Sequence, residues 1–380
     1  MRRPKGFDLS AHLGLGRLYP GAGQAFASAA GAPAPASRLR EVADFGPNPG
    51  GLKMLLHIPA DLPARSPLVV VLHGCGQSAA AYDRGAGWSA LADRLGFAVL
   101  APEQSASNNP NGCFNWFQPG DTTRDHGEAA SIRQMVASAI ADHRLDPRRV
   151  FVTGLSAGGA MTSAMLAAYP EVFAGGAMIA GVPYGAAGNV QEALGAMRQA
   201  PARSPRAWGD LVRKASPHRG PWPRISVWHG GADFIVSNAN AQAIIDQWTD
   251  VHGLPPAAAL TDVVDGYPRR VWRDSQGRPV LESYTITGMA HGVPIHAGAG
   301  ADEGGVPGPF ILEAGISSSY RIAQFWGLAE PVLATARPSV AEPRRDPPPQ
   351  PAIAARTLGG FDPGAVIANA LRAAGLMKSI

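Results

Sequence analysis

The chain has 380 residues and a formal net charge of +4, and its composition is 46% hydrophobic and 16% charged. That balance supports a packed core and excludes a chain that is disordered throughout. The basic residues are scattered rather than gathered into one stripe, which argues against nucleic-acid binding. No apolar run reaches the length of about 18 residues that a membrane-spanning helix needs, so the sequence predicts no transmembrane segment.

Composition divides the chain into four segments. Residues 1–40 are rich in Ala, Gly and Pro and predict a flexible arm, which opens with basic residues but lacks the apolar run of a secretory signal. Residues 41–330 carry the periodic patterns of a catalytic domain. Residues 331–352 predict a stiff, Pro-rich linker, and residues 353–380 predict a short amphipathic helix that packs on its own domain or on a hydrophobic partner.

The predicted domain alternates strands with helices. Leu68–Leu72 is a continuous apolar run, which is typical of a strand buried on both faces. Further strands are predicted at 52–58, 97–101, 149–153, 177–180, 224–229, 269–273 and 281–286, and helices near 86–95, 126–143, 160–168, 238–251 and 316–326. Residues 183–223 are predicted to form a loop-rich insertion. The alternation predicts an α/β fold, with a mostly parallel sheet and helices on both faces.

A candidate nucleophile lies in the motif Gly154-Leu155-Ser156-Ala157-Gly158, between a predicted strand and a predicted helix. A serine hydroxyl is a weak nucleophile at neutral pH, so it needs a base, a group that orients the base, and donors for the oxyanion. The G-x-S-x-G pattern in this context places serine on a tight turn at a helix N-terminus. Ser156 is therefore the predicted nucleophile, and the alternative is a Gly-rich turn with a capping serine.

Two further residues follow later predicted strands. Asp233 stands in His229-Gly230-Gly231-Ala232-Asp233, and His291 stands in Gly288-Met289-Ala290-His291-Gly292. The order Ser, Asp, His is the order of α/β hydrolases, so Asp233 is the predicted acid and His291 the predicted base. A turn aspartate and a structural loop histidine are the alternatives, with Asp246 and His296 as the rival acid and base.

The oxyanion donors are predicted from the segment His73-Gly74-Cys75-Gly76, which directly follows the Leu68–Leu72 strand. This is where an α/β hydrolase supplies one backbone donor, and the residue after the nucleophile supplies the other. The amides of Cys75 and Ala157 are the two candidates. His73 itself is expected to orient the loop, and the alternative is a glycine turn with a satisfied histidine.

Four motifs occur in order along the chain: His73-Gly74-Cys75-Gly76-Gln77, Gly112-Cys113-Phe114-Asn115-Trp116-Phe117, the segment 152–161 around Ser156, and Ala180-Gly181-Val182-Pro183-Tyr184-Gly185. Together they resemble the poly(3-hydroxybutyrate) depolymerase-type esterases, a family that also contains feruloyl and acetylxylan esterases. The resemblance covers about residues 50–326 and implies an α/β-hydrolase fold, with Ser156, Asp233 and His291 as the triad and Cys75 as an oxyanion donor. It also makes Trp116 a candidate for gripping the substrate, the alternative being a core aromatic, and His73 is grouped with Trp116 as substrate-binding.

The two cysteines, Cys75 and Cys113, fall in loops that should both approach the rim of the site. We expect either a disulfide that fixes the oxyanion loop or two free thiols in a reducing cytosol. The family resemblance favours an extracellular or periplasmic protein, whereas the N-terminal residues leave a cytoplasmic one open.

The sequence thus predicts a serine esterase that hydrolyses carboxylic esters, 3-hydroxybutyrate oligomers or polymer among them, through an acyl-enzyme. The alternatives are a feruloyl or acetylxylan esterase, or a binding protein built on an inactive hydrolase fold. The chemistry calls for neither a metal nor an organic cofactor. The expected partner is the ester substrate, and the oligomeric state stays open.

Overall fold

A computed structural model describes residues 37–330 of the chain. The predicted linker, the predicted C-terminal helix and most of the predicted arm lie outside the described residues. The statements below concern 37–330 only.

A ten-stranded sheet runs through the described part, in the order β1-β2-β4-β3-β5-β6-β7-β10-β9-β8. The six strands from β4 to β10 are parallel, and the two strands at each end are antiparallel. A separate two-stranded sheet pairs β11 with β12. The strands are β1 Arg40–Val42, β2 Lys53–His57, β3 Leu68–Leu72, β4 Ala98–Glu103, β5 Val150–Leu155, β6 Gly175–Ile179, β7 Arg224–Gly230, β8 Leu260–Val264, β9 Tyr267–Arg273, β10 Pro279–Ile286, β11 Val293–Ile295 and β12 Ile311–Glu313.

Helices cover both faces of the sheet, so the architecture is a three-layer α/β sandwich, as the alternation predicts. One face buries side chains of α4, α5 and α8. The opposite face buries side chains of α1, α2 and α9. The described helices are α1 Ala79–Ala86, α2 Trp88–Leu95, α3 Pro119–Thr122, α4 Gly127–His143, α5 Ala157–Ala168, α6 Val190–Arg198, α7 Pro205–Ala215, α8 Ala239–His252 and α9 Ser318–Phe325.

Strand β3 shows why the central strands read as unbroken apolar runs. Leu68, Val70 and Leu72 face one core, whereas Val69 and Val71 face the other. Successive side chains of a strand point to opposite faces, so a strand covered on both sides needs apolar residues throughout. None of the five is more than 1% exposed.

The structure differs from the sequence predictions in two places. The helix predicted near 86–95 is α2, but a further helix, α1, precedes it and ends where Gly87 adopts a left-handed φ of 79°. The predicted loop-rich insertion at 183–223 contains α6 and α7. Both helices are short and bury few side chains, and Pro, Gly and Ser flank them, so this part of the sequence resembles a loop.

None of the helices within 37–330 combines the length and the apolar character needed to cross a membrane.

A buried carboxyl group lies inside the sheet. Glu282 on β10 is 2% exposed, and its Oε1 accepts a hydrogen bond of 2.8 Å from Ser226 Oγ on β7. Its other oxygen lies 3.8 Å from Arg269 Nη1. Burial raises the pKa of Glu282 to about 7, because loss of water disfavours the charged form.

Replacing Glu282 with Gln removes the ionisable group and keeps an oxygen acceptor for Ser226. Since the folded pKa of Glu282 exceeds its unfolded value, the wild-type protein loses stability through this group as the pH rises towards 7. We therefore expect the melting temperature of Glu282→Gln, relative to wild type, to increase between about pH 5 and pH 7 and then to level off. Differential scanning calorimetry across this range measures the effect.

Glu41→Gln is the matched control, because Glu41 is exposed on β1. The melting temperature of Glu41→Gln should differ from that of wild type by the same amount at every pH. A constant separation between Glu282→Gln and wild type at all pH values would contradict the assignment.

Candidate active site

Ser156 occupies the turn between β5 and α5. Its backbone has φ 56° and ψ −116°, a conformation that side-chain-bearing residues rarely adopt. Its N–H donates to the Ile179 carbonyl oxygen at the end of β6 (2.9 Å), and its own carbonyl accepts from the Ala160 N–H (2.8 Å). The turn is therefore held at both sides in a strained geometry that lifts the hydroxyl out of the strand.

The glycines of the motif are required by close backbone contact with the end of β3. A Cβ on Gly154 would lie 2.7 Å from the Leu72 carbonyl oxygen, and a Cβ on Gly158 would collide with the same atom. Both positions therefore accept only glycine without a shift of the backbone. The predicted motif thus matches a physical requirement of the turn.

Asp233 and His291 meet at the carboxyl edge of the sheet. His291 Nδ1 lies 2.7 Å from Asp233 Oδ2, and both residues are buried, at 7% and 8% exposure. Asp233 follows β7, and His291 follows β10, which lies beside β7 in the sheet. The structure therefore brings the predicted acid and the predicted base into direct contact.

The carboxylate of Asp233 is held in its charged form. Its Oδ1 accepts backbone N–H groups of Ile235 and Val236, each at 2.9 Å. Burial opposes ionisation, but the hydrogen bonds and the charge of His291 outweigh it and lower the pKa of Asp233. The ionised group fixes the proton of His291 on Nδ1 and leaves Nε2 as the basic nitrogen.

A second histidine, His229, lies behind this pair, and sequence reasoning assigned it no role. Its Nε2 is 2.8 Å from the Val236 carbonyl oxygen and 3.4 Å from Asp233 Oδ2. Because a carbonyl oxygen only accepts, Nε2 of His229 carries a proton. This N–H donates to the Val236 carbonyl oxygen and also lies near the Asp233 carboxylate. Burial lowers the pKa of His229, so the ring stays neutral. The signal for it was its position at the end of β7, four residues before Asp233.

Ser156 is delivered to the same edge of the sheet by β5, which lies beside β6 and β3. Among residues 37–330, no hydrogen bond joins its hydroxyl to His291. Catalytic hydrogen bonds are often long in an unliganded enzyme and shorten when substrate binds.

The loop after β3 carries the predicted oxyanion donor. Within the described residues the amides of Cys75 and Ala157 donate to no other residue, and Ala157 opens α5, where helical N–H groups lack intrahelical partners. A disulfide joins Cys75 to Cys113, and the Gly76 N–H donates to the Asn111 carbonyl oxygen (2.9 Å). The loop is thereby tied to the segment that carries Trp116.

His73 fixes the start of this loop. Its Nε2 accepts from the Gln104 backbone N–H (3.1 Å), so its proton is on Nδ1, which donates to the Gly74 carbonyl oxygen (2.8 Å). The residue is 1% exposed, and burial lowers its pKa. The predicted substrate-binding role of His73 does not fit a buried ring with both nitrogens occupied, whereas the loop-orienting role does.

Trp116 is half-buried. Its ring packs edge-on against Phe117, with 5.5 Å between centroids, and contributes to a small apolar cluster that includes Ala160 of α5. Trp116 is therefore a partly exposed member of this cluster rather than a core residue. Trp228, in contrast, is fully buried and stacks on Tyr284.

A buried acid, Glu128, organises the Trp116 segment and was also absent from the sequence prediction. Its Oε1 accepts from the side-chain amides of Gln104 (2.6 Å) and Asn108 (3.0 Å), and its Oε2 accepts from the Asn115 N–H (2.9 Å). Glu128 is 0% exposed, and burial raises its pKa to about 8. The loop between β4 and α4 is therefore anchored at three points.

The rival residues lie apart from these contacts. Asp246 is on α8 and accepts from Gln242 Nε2 (2.7 Å), and His296 lies 3.6 Å from Glu303 Oε1. Neither pairs with Asp233 or His291.

Comparison with known proteins agrees with this geometry. A family model described as esterase PHB depolymerase matches residues 52–263, which is more than half of the chain. Poly(3-hydroxyalkanoate) depolymerase C from Paucimonas lemoignei is 49% identical over 76% of this chain and 70% of its own length. An acetylxylan esterase from Coprinopsis cinerea is 36% identical over 70% of this chain and 73% of its own length.

Among solved structures, an acetyl xylan esterase from Aspergillus awamori superimposes with a TM-score of 0.65 at 26% identity, covering 77% of this chain and 99% of that one. The strand order, the turn at Ser156 and the sequence relationships lead to one assignment. The chain belongs to the esterase PHB depolymerase family and is an ester hydrolase of the serine type with an α/β-hydrolase fold.

Proposed function

We propose that this esterase cleaves esters of 3-hydroxybutyrate, in oligomers or polymer, through an acyl-enzyme on Ser156. The observation that carries the proposal is the buried hydrogen bond of 2.7 Å between Asp233 and His291, at the sheet edge to which β5 leads. The substrate class is supported by the 49% identity to a protein named as a poly(3-hydroxyalkanoate) depolymerase.

In the acylation step, His291 Nε2 takes the proton of Ser156 while Oγ attacks the ester carbonyl carbon. Asp233 holds the imidazole in the required tautomer and stabilises its charged form. The oxyanion accepts hydrogen bonds from the Cys75 and Ala157 amides, each contributing about 3 kcal/mol to transition-state stabilisation. The carbonyl then reforms, the ester C–O bond breaks, and His291 returns the proton to the leaving alcohol.

In the deacylation step, a water molecule occupies the position from which the alcohol has departed. His291 Nε2 removes one water proton, the hydroxide oxygen attacks the acyl carbon, and the second tetrahedral intermediate uses the same two amides. Breakage of the bond to Ser156 Oγ releases the acid and returns the proton to serine. For a hydroxybutyrate ester the released acid is a 3-hydroxyacid.

Substituting Ser156 with Ala removes the attacking oxygen, and Asp233→Asn gives the imidazole the wrong tautomer. In comparable serine hydrolases such changes lower kcat by about 10⁶-fold and about 10⁴-fold respectively, and we expect losses of that order here. Initial rates on p-nitrophenyl butyrate measure both. A fluorophosphonate probe should label wild type and fail to label Ser156→Ala.

Asp246→Asn is the matched control for the acid, because this carboxylate contacts Gln242 rather than the histidine. It should keep the wild-type rate. Normal turnover by Ser156→Ala would refute the acyl-enzyme, and normal turnover by folded Asp233→Asn would remove Asp233 from the triad. A folded wild-type protein that the probe does not label would favour the inactive-hydrolase alternative.

The choice of acyl group can also be tested, since relatives of this chain are named acetylxylan and feruloyl esterases. We expect kcat/KM on the methyl ester of a hydroxybutyrate trimer to exceed that on methyl ferulate and on acetylated xylan by at least about tenfold, the scale on which one pocket separates related substrates. Product release is followed by pH-stat titration. A higher value on methyl ferulate or on acetylated xylan would replace the proposed substrate with the carbohydrate-linked class.

We also propose that the protein works outside the cytoplasm, in the periplasm or the extracellular medium. The disulfide between Cys75 and Cys113 supports this, because disulfides persist in oxidising compartments. We expect the native protein in the periplasmic or secreted fraction of the source cells, with no thiol reacting with iodoacetamide before reduction. A cytoplasmic pool with two reactive thiols would contradict the proposal.

A further inference from the structure

Beside the base stands an aromatic ring that the triad and the oxyanion loop do not use. Phe310 is 41% exposed, and its ring is perpendicular to that of His291, with 5.9 Å between centroids and an interplanar angle of 78°. Large exposed hydrophobic side chains are few in residues 37–330. They are Phe234, Leu260, Val263, Val306 and Phe310.

The backbone holds Phe310 in a costly conformation. Its φ is 60°, in the left-handed region that a bulky aromatic residue rarely enters. Phe310 is the third residue of the turn Gly308–Ile311, in which the Ile311 N–H donates to the Gly308 carbonyl oxygen (2.9 Å) and the Gly308 N–H donates to the Ile311 carbonyl oxygen (3.0 Å). A left-handed residue at this position of a turn is usually glycine or asparagine, so an aromatic side chain here is unusual. The turn keeps the apolar ring partly exposed next to His291.

Further hydrogen bonds of this turn join the segment after His291 to the loop that carries Cys75. The Phe310 carbonyl accepts from the Val293 N–H (2.8 Å), two residues beyond His291. The preceding carbonyl, of Pro309, accepts from Gln77 Nε2 (3.1 Å), and Gln77 Oε1 accepts from the Gly74 N–H (2.9 Å). Gln77, the last residue of the HGCGQ motif, therefore links the turn that contains Phe310 to the loop that carries Cys75, through one hydrogen bond to each.

The chemistry of the base indicates what the ring would touch. During acylation the imidazole hands its proton to the leaving oxygen, so groups adjoining His291 lie next to the alcohol portion of the ester. Trp116 is placed differently, on the segment that the Cys75–Cys113 disulfide bridges to the oxyanion loop, and it packs against a separate apolar cluster. The two aromatic residues thus belong to different segments of the chain.

We propose that Phe310 is a specificity-determining residue that contacts the alcohol portion of the substrate and favours apolar alcohols. This inference rests on the proposed function. In a hydroxybutyrate chain the alcohol portion is the next hydroxyacyl unit, whose methyl and methylene groups offer an apolar surface to the ring.

The test varies the alcohol portion of the ester while the acyl portion stays constant, and it measures acylation and deacylation separately. Phe310→Ala should lower kcat/KM for butyl and benzyl butyrate by about tenfold and for methyl butyrate by less than about twofold, because only the larger alcohols reach the ring. Phe310→Leu, which keeps apolar bulk, should fall between Ala and wild type on butyl butyrate. Deacylation of the butyryl-enzyme should proceed at the wild-type rate in both variants, since the alcohol has already left.

Val306→Ala is the control, because Val306 is exposed in the same loop without a ring contact to His291. It should leave the alcohol preference unchanged, and thermal melting verifies the fold of each variant. Should Phe310→Ala fail to fold, the Phe310→Leu series decides by the same criterion.

The outcomes separate this inference from the proposed function. A p-nitrophenol burst equal to the enzyme concentration reports the acyl-enzyme independently of Phe310. An intact burst with equal losses on all three alcohols, a changed deacylation rate, or a changed acyl-length preference overturns the role of Phe310 alone. Absence of a covalent acyl-enzyme in wild type overturns the proposed function.

Discussion

The contact on which the site depends is the close approach of the Ser156 turn to the end of β3. Gly154 and Gly158 bring two backbone segments against the Leu72 carbonyl oxygen, where any Cβ would intrude. This contact fixes the distance between the turn and the loop that begins at His73. The proposed nucleophile and one candidate oxyanion donor are therefore positioned by the same steric constraint, and the strain at Ser156 is maintained by the sheet on either side.

Two buried histidines and one buried carboxylate shape the electrostatics of this edge of the sheet. His73 and His229 each have an N–H directed at a backbone carbonyl, and burial lowers the pKa of both. Asp233 receives enough donors to remain ionised. In the proposed mechanism, the positive charge that develops during the reaction lies on His291, next to the carboxylate of Asp233.

Much of the fold was predictable because the central strands are buried on both faces, and a run such as Leu68–Leu72 is typical of that environment. The proposed triad residues, Ser156, Asp233 and His291, were chosen from motifs at strand ends, and the structure shows the contact between Asp233 and His291. The helices α6 and α7 were missed because few side chains on each are buried. Glu128 was missed because its partners lie 13 to 24 residues away in the chain. The environments of His229 and Phe310 come from the path of the backbone, which leaves no local pattern of residue types.

The small sheet formed by β11 and β12 has an evolutionary consequence. Val293 pairs with Ile311, so the segment that ends at Phe310 leaves and re-enters the domain at neighbouring points. We expect the length of that segment to be variable without a change in the ten-stranded sheet or the proposed triad, since closing a longer loop costs little. Insertions here offer a route by which descendants of one scaffold acquire new leaving-group preferences while their catalytic machinery is inherited intact.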